Sequence, residues 1–375
     1  MKFLMVDTYY PSSLKNFWKK NAKDKDGEYK ILLKKILDEK LFLSDYYSSN
    51  LIKLGHKAID IIANDEVLQL KWAKEKRISV IRNPILEKVQ SLPYIYRFIK
   101  RPKWMEQILL EQISFYKPDI VYFQDLTILS PSNLRLLKRN NHFVVGQIAS
   151  PLPPENYLKE FDLILTSFSH FVPKIHRLGV HSEYFRIGFA PDLVHIIGKQ
   201  EKKYDITFIG SFTPHHSKGS HLLERVAKDF SLHVWGRGLE FVSPISPLRA
   251  NFHGQIWGKA MFEVLAQSKI VINRHIDVAR NHANNMRLYE ATGMGALLIT
   301  DYKKNISELF KVGKEIITYN SIHDLQKKLN YFLIHDNDRV KIARAGQKRT
   351  LKAHSYKRRM QELVKIISQY KKFRK

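Results

Sequence analysis

Short apolar runs alternate with longer amphipathic stretches along this chain. "KFLMV", "AIDII", "DIVYF", "HFVVGQI" and "DLILT" read as compact strands, and "WMEQILLEQISFY" and "PSNLRLLKR" between them carry apolar residues at helical spacing. Such alternation predicts a parallel sheet covered by helices. The polar, lysine-rich stretch "FAPDLVHIIGKQEKKYD" interrupts the pattern, and the same grammar restarts with "DITFIG", "SLHVWG", "KIVIN", "ALLIT" and "EIITY". We therefore expect an α/β protein of two Rossmann-like, doubly wound domains, 1–190 and 203–354. In the segment 355–375, Met360, Leu363, Ile367 and Tyr370 fall at i, i+3, i+7 and i+10, opposite a basic face. That pattern predicts a terminal amphipathic helix docked on its own protein. No repeat of fixed period and no low-complexity segment interrupts this organisation.

Composition narrows the classes. A chain of 375 residues with 44% hydrophobic content exceeds what one core usually holds, in keeping with two domains. With no cysteine, a disulfide framework, a thiolate zinc site and a cysteine nucleophile are all excluded. The opening "MKFLMVDTYY" has too few apolar residues for a signal-peptide core, and no run of 18 apolar residues occurs. A cytoplasmic protein is expected. Lys plus Arg number 63 against 36 Asp plus Glu, a net charge of +27, densest in "EKRISVIR", "FIKRPKW" and the tail. Such a surface attracts polyanions: nucleic acid, acidic glycans or the headgroups of an anionic membrane on which the protein would sit peripherally. A nucleic-acid-binding protein is thus one rival reading. No recognition module or base-reading helix accompanies the charge, however, so no specific nucleic-acid partner is expected.

In open parallel sheets, ligands bind where strands end and loops lead into helices. Three loops of the second half are chemically suggestive. In "DITFIGSFTPHHSKGSHLLERV", a strand ends at Gly210 and Ser211, and His215, His216 and Lys218 precede a helix. Glycine admits an anion to the backbone, and a helix N-terminus with a lysine favours phosphate, although glycine at a strand end also serves tight turning. In "HVWGRGLEF", Gly236 and Gly238 flank Arg237, and Trp235 ends the strand, as a donor-binding loop or as a mere loop with a core tryptophan. In "NHANNMRLYEATGMGALLITD", Asn284 or Asn285 can cap a helix carrying Arg287 and Glu290, which Gly293 and Gly295 stop. Glu290 can accept from two vicinal hydroxyls of a ribose while Arg287 neutralises phosphate. Equally, the two form an i,i+3 surface pair.

The stretches "NNMRLYEATGMGALLITD", "ISELFKVGKEIITY" and "HSYKRR" resemble the C-terminal signature of CgeB-like GT-B glycosyltransferases. "YYSSNLIKLGHKAIDIIANDEVLQLKWAKE" and "VVGQIASPLP" in the first half are similar to the same group. The resemblance implies a GT-B fold, with two Rossmann-like domains facing a cleft and a C-terminal helix crossing back to the first. It implies a nucleotide-sugar donor held mainly by the second domain, a glycan, lipid-linked or protein acceptor held by the first, and transfer to an acceptor hydroxyl. UDP is the expected nucleotide, GDP the next. A GT-B epimerase or phosphorylase would share the fold. Glu290 matches the ribose-holding carboxylate, Lys218 and Arg287 stand where diphosphate-binding cations are placed, and His253 and Gly254 in "HGQIWG" match a loop bordering the base. Many retaining relatives carry a second glutamate eight residues earlier. Here that position is His282, so stereochemistry does not carry over.

By the same resemblance a base belongs to the first domain. Asp7 ends "FLMVDTYYP" and Asp125 ends "VYFQDL", where each could take a proton from a hydroxyl or cap a helix; Gln147 and His170 are weaker candidates. The two Asp-x-Asp matches, Asp24 to Asp26 and Asp336 to Asp338, read as a solvated run and a helix cap. No histidine pair at i,i+4 has a third ligand, so neither a metal nor another cofactor is expected.

Overall fold

The computed structural model describes residues 1–82, 101–212 and 217–372, and of Ser217 and Lys218 the backbone alone. The chain divides into two units: Met1–Phe185 together with the residues from Met360 onward, and Arg186–Arg359.

The first unit is built on a six-stranded sheet: β1 (Lys2–Asp7), β2 (Lys57–Ile62), β3 (Ile120–Phe123), β4 (Phe143–Ile148), β5 (Leu163–Thr166) and β6 (His181–Tyr184). All neighbours pair in parallel, in the order β2-β1-β3-β4-β5-β6. The strands β3 and β4 are buried at every position, as a parallel sheet covered on both faces requires. From β1 the chain goes to β2 on one side, then returns past β1 to β3 on the other. Strand order therefore reverses between β1 and β3, and their carboxyl ends flank the crevice where such folds bind ligands.

The second unit repeats the plan with five parallel strands: β7 (Tyr204–Ser211), β8 (Leu232–Arg237), β9 (Ser268–Asn273), β10 (Leu297–Asp301) and β11 (Ile317–Tyr319), ordered β11-β10-β9-β7-β8. The reversal here falls between β7 and β9. One face packs Ile206, Val234, Ile270, Ile272, Leu297 and Ile299 against Leu223 and Val226 of the Ser217–Asp229 helix and Leu325 and Leu329 of the Ile322–Ile334 helix. The outer edge of β8 is covered by residues 251–254, whose backbone bonds to Val234 and Gly236 close it against further pairing. A Cβ on Gly236 would meet the Gly210 oxygen at 1.7 Å, so this glycine serves the close approach of β7 and β8.

The apolar stripe read from the tail is the buried face of the last helix, Tyr356–Lys372: Met360, Leu363 and Ile367 are each 0% exposed. The helix starts in the second unit, and from Met360 its residues belong to the first. There Tyr370 donates its hydroxyl to Glu183 Oε1 at 2.5 Å and packs its ring on His181. Where the chain enters and leaves the second unit the two passages are laced together: Phe189 N–H donates to His354 O at 2.8 Å, and Tyr356 N–H to Phe189 O at 2.9 Å.

Burial of this stripe predicts that Ile367→Ala lowers stability by about 2 to 5 kcal/mol. Urea unfolding measures the loss, and amide exchange should locate it in β5 and β6 before β7 to β11. An unchanged midpoint would mean that the stripe contributes no packing.

Candidate active site

The loops leaving β7 and β9 part at the second sheet's reversal. Strand β7 ends in Gly210 and Ser211, and Arg237 at the end of β8 donates from Nε to Ser211 Oγ at 3.3 Å. Strand β9 ends in Asn273, and Arg274 follows. Its guanidinium lies against the first turn of the Ser217–Asp229 helix, where a Cβ on Gly219 would stand 2.6 Å from Nη1. Among the described residues its one ion pair is a 3.4 Å contact with Asp277. A cation is normally disfavoured at a helix N-terminus, because the end of the dipole is already positive. Here both charges have the same sign, and an anion between them would relieve the repulsion.

A second helix of this edge, Met286–Gly293, is held by amides. Asn285 caps it, accepting from Leu288 N at 3.4 Å, and donates from Nδ2 to Asn273 Oδ1 at 2.9 Å. In turn Asn273 donates to Thr300 Oγ1 at 2.9 Å, which ties the helix start to the ends of β9 and β10. Asn284 has a different task, its Oδ1 accepting from the Tyr289 hydroxyl at 2.8 Å. Arg287 stands in the first turn, again at a positive helix end. Its Nη1 forms an ion pair with Glu290 Oε2 at 2.9 Å, its Nη2 donates to Ile209 O at 3.3 Å, and its Nε is buried with no partner among the described residues.

The i,i+3 pair read from the sequence is therefore present, but it is buried, the Glu290 side chain being 8% exposed. Burial raises the Glu290 carboxyl above its ordinary range, and Arg287 pulls it partly back. Oε2 faces the Arg287 guanidinium, and Oε1 accepts no hydrogen bond from the described residues. The pair and the ligand reading are thus compatible, one oxygen anchored and one open to a donor.

Three residues of this edge were not singled out by the sequence: Arg274, His275 and Asp301. His275, 2% exposed, receives or donates at Nδ1 with Asp301 Oδ1 at 2.7 Å, and Lys303 lies 3.2 Å from the other oxygen. Burial alone would raise Asp301, but His275 and Lys303 together hold its carboxyl below the usual range. The only sequence signal was "RHID" directly after "KIVIN", and its meaning depends on β9 being the strand beside the reversal.

Trp235 and His253 are brought together, stacked on each other at 4.4 Å and 22°, with Tyr204 edge-on to the indole and His233 bonded to His253 Nε2 at 2.9 Å. Trp235 does not end its strand, which continues to Arg237, and it is 5% exposed. Gly254, at φ +80, leaves open space on its Cβ side. The side chain of Lys218 and all of His215 and His216 lie outside the described residues, as do residues 98–100 of "FIKRPKW".

In the first unit, Asp7 and Asp125 flank the reversal between β1 and β3, and Thr8 Oγ1 donates to Asp125 Oδ2 at 3.3 Å. The two carboxylates differ in state. Asp125 is engaged at both oxygens, by Thr127 and by Arg101 at 2.6 Å, and these partners overcome its burial to hold its carboxyl below the usual range. Asp7 accepts only from Thr8 N at 2.7 Å among the described residues, and burial, with a smaller push from Asp125, raises it to about 7. Asp60, on the same face of neighbouring β2, is also raised by burial to about 7. Gln147 is locked, its Oε1 accepting from the Tyr47 and Tyr122 hydroxyls and Gln124 Nε2, and His170 stacks on Phe168. Asp24 ends the 3-10 helix Ala22–Asp24 and pairs with Lys35 at 2.5 Å, Asp26 is exposed in the turn after it, and Asp336 and Asp338 lie in the exposed first turn of the Asp336–Ala353 helix. Among the described residues no group of three or more His, Asp or Glu is placed to hold a metal ion, and no helix is long and apolar enough to cross a membrane.

Residues 217–365 match the family described as glycosyl transferase-like. No curated protein matches the sequence. Among solved structures, the chain is similar to a glycosyltransferase from Rickettsia africae (15% identity, 98% of each chain, TM-score 0.60). It is also similar to Anabaena Alr3699/HepE in complex with UDP-glucose (12% identity, 98% of this chain and 100% of that one, TM-score 0.60). A third similar structure is the sucrose-phosphate synthase of Thermosynechococcus elongatus (9% identity, 98% and 99%, TM-score 0.58). The fold is that of GT-B glycosyltransferases.

The state of Asp7 has a measurable consequence. Its folded pKa lies above the unfolded value, so between about pH 4 and about pH 7 the folded chain binds the extra proton, and stability from this group is lost as pH rises. Asp7→Asn should stabilise the protein at pH 8 relative to the parent and have a much smaller effect at pH 5, read by urea unfolding at both. Equal effects at the two pH values would place the Asp7 carboxyl in its ordinary range.

Proposed function

We propose that this chain transfers a sugar from a nucleotide-sugar donor to an acceptor hydroxyl. One observation carries the reading: Arg274 and Arg287, two guanidiniums, stand at the positive N-termini of two helices beside the strand reversal, next to a carboxylate with one open oxygen, Glu290. A diphosphate supplies the anion that corner lacks, and a ribose supplies hydroxyls for Glu290 Oε1. UDP is favoured, since Alr3699/HepE, of the same fold, was crystallised with UDP-glucose, with UDP, and with UDP and glucose. Leaving-group charge would fall on Arg274, Arg287 and the two helix ends, so we read the reaction as metal-independent. The base is Asp7, whose pKa near 7 balances proton affinity against ionisation. Asp125, already ion-paired, orients this edge. The C-terminal signature supports reading the chain as a CgeB-like member of the GT-B group. A role in bacterial surface glycan or glycoprotein synthesis, on the inner face of the membrane, fits the basic surface.

The test is a thermal-shift titration with UDP, GDP and their sugars. UDP should raise the melting temperature at sub-millimolar concentration. Glu290→Gln should weaken UDP binding roughly tenfold or more, as loss of a charged hydrogen bond of about 1.5 to 3 kcal/mol implies. The same substitution should matter far less for a nucleotide without ribose hydroxyls, because their partner is already gone. Equal losses with both would remove Glu290 from the ribose. Release of nucleoside diphosphate only when an acceptor is supplied separates transfer from epimerisation.

A further inference from the structure

The amino ends of the second sheet carry a cavity that nothing above uses. It occupies about 490 Å³, a size typical of small-molecule sites. Lys202 precedes β7, Lys269 is the second residue of β9, and Met294 and Gly295 precede β10, so it lies at the opposite strand ends from Arg274 and Ser211. Val194, Ala266, Met294, Val340 and Ala343 supply an apolar lining. Every ionisable lining residue is a cation: Lys199, Lys202, Lys269, Arg339 and Arg344.

Three of these have structural tasks. Lys269 pairs with Asp205 at 2.7 Å, and Arg339 pairs with Asp336 and donates to Phe332 O at 2.9 Å. Lys202 joins the end of the Gly258–Gln267 helix to the starts of β9 and β10, its Nζ donating to Ala266 O at 2.7 Å, Ser268 O at 2.8 Å and Gly295 O at 3.3 Å. Carbonyls satisfy those donors without cancelling the charge. Withdrawal from water, and to a smaller extent the Arg339 guanidinium, push Lys202 down to about 8. Lys199 and Arg344 are exposed and have no partner among the described residues. The cavity thus holds three cations with no carboxylate opposite them, over an apolar lining.

We propose that this cavity is a second ligand site, separate from the carboxyl-end corner, and that it takes a small molecule bearing a phosphoryl group. The doubly charged head would meet Lys199, Lys202 and Arg344, the body would cover Val194, Met294 and Val340, and the Gln347 amide oxygen would accept from a hydroxyl. Gln347 also donates from Nε2 to Gly293 O at 3.0 Å, and Met294 N–H to Glu290 O at 3.0 Å. A ligand here therefore touches the C-terminal end of the helix that carries Arg287 and Glu290.

Isothermal titration of the full chain with inorganic phosphate and with glycerol 3-phosphate, at constant ionic strength in potassium chloride, tests the site. Both should bind at millimolar or lower concentration. Tighter binding of the ester assigns the cavity to organic phosphates, and equal binding to phosphate itself. Lys199→Glu with Arg344→Glu should weaken binding at least tenfold, and Lys199→Gln with Arg344→Gln by a smaller factor. Both residues are exposed, and circular dichroism should show the parent fold in each variant. Arg274→Ala should leave the phosphate affinity of this cavity unchanged. Absence of binding by the parent chain overturns the proposal, as does binding that survives both charge variants or disappears in Arg274→Ala, which would assign the anion to the carboxyl ends.

Discussion

Parallel strands buried on both faces have their backbone polar groups consumed by neighbours, and their side chains by helices. Chemistry is left to the strand ends. In each unit the order of strands reverses once, between β1 and β3 and between β7 and β9, and only there do two loops leave in opposite directions. Asp7, Asp125, Ser211 and Arg274 all lie at these two points, although they belong to loops of unrelated sequence. The residues that build the edges are otherwise conservative in purpose: amides Asn273 and Asn285 fix a helix onto two strand ends, and Gly236 lets two strands close.

Charge is handled in opposite ways at the two edges. In the first unit carboxylates gather with few cations, and burial raises Asp7 and Asp60 until each holds its proton near neutrality. In the second unit guanidiniums stand at helix ends where the peptide dipoles already contribute positive potential. A buried carboxylate can relieve its cost by taking a proton. A guanidinium cannot release one at any physiological pH, so its relief must come from a neighbour or a ligand. Arg287 uses Glu290, while among the described residues Arg274 has only a 3.4 Å contact with Asp277.

The strands that could be read from the sequence were those whose burial on both faces leaves an unbroken apolar run, such as "DIVYF" and "ALLIT". Strand β6, "HSEY", was not legible because an edge strand needs no such run, and its polar residues face partners such as Tyr370. The tail stripe was legible because helical spacing survives any tertiary arrangement. Glycines were harder: Gly236 reads as part of a donor-binding loop, yet its neighbour is the Gly210 carbonyl. Trp235 reads as the end of a strand, but β8 pairs on to Arg237. Arg274 could not be ranked at all, since its place beside the reversal depends on strand order, which no local pattern encodes.

The division of the last helix bears on how the chain is made. Synthesis delivers Met1 to Phe185 first, yet the first unit then lacks Met360, Leu363 and Ile367, which emerge only after the whole second unit. The second unit is contiguous and can fold while the chain is still growing, whereas the first must wait with an apolar surface uncovered.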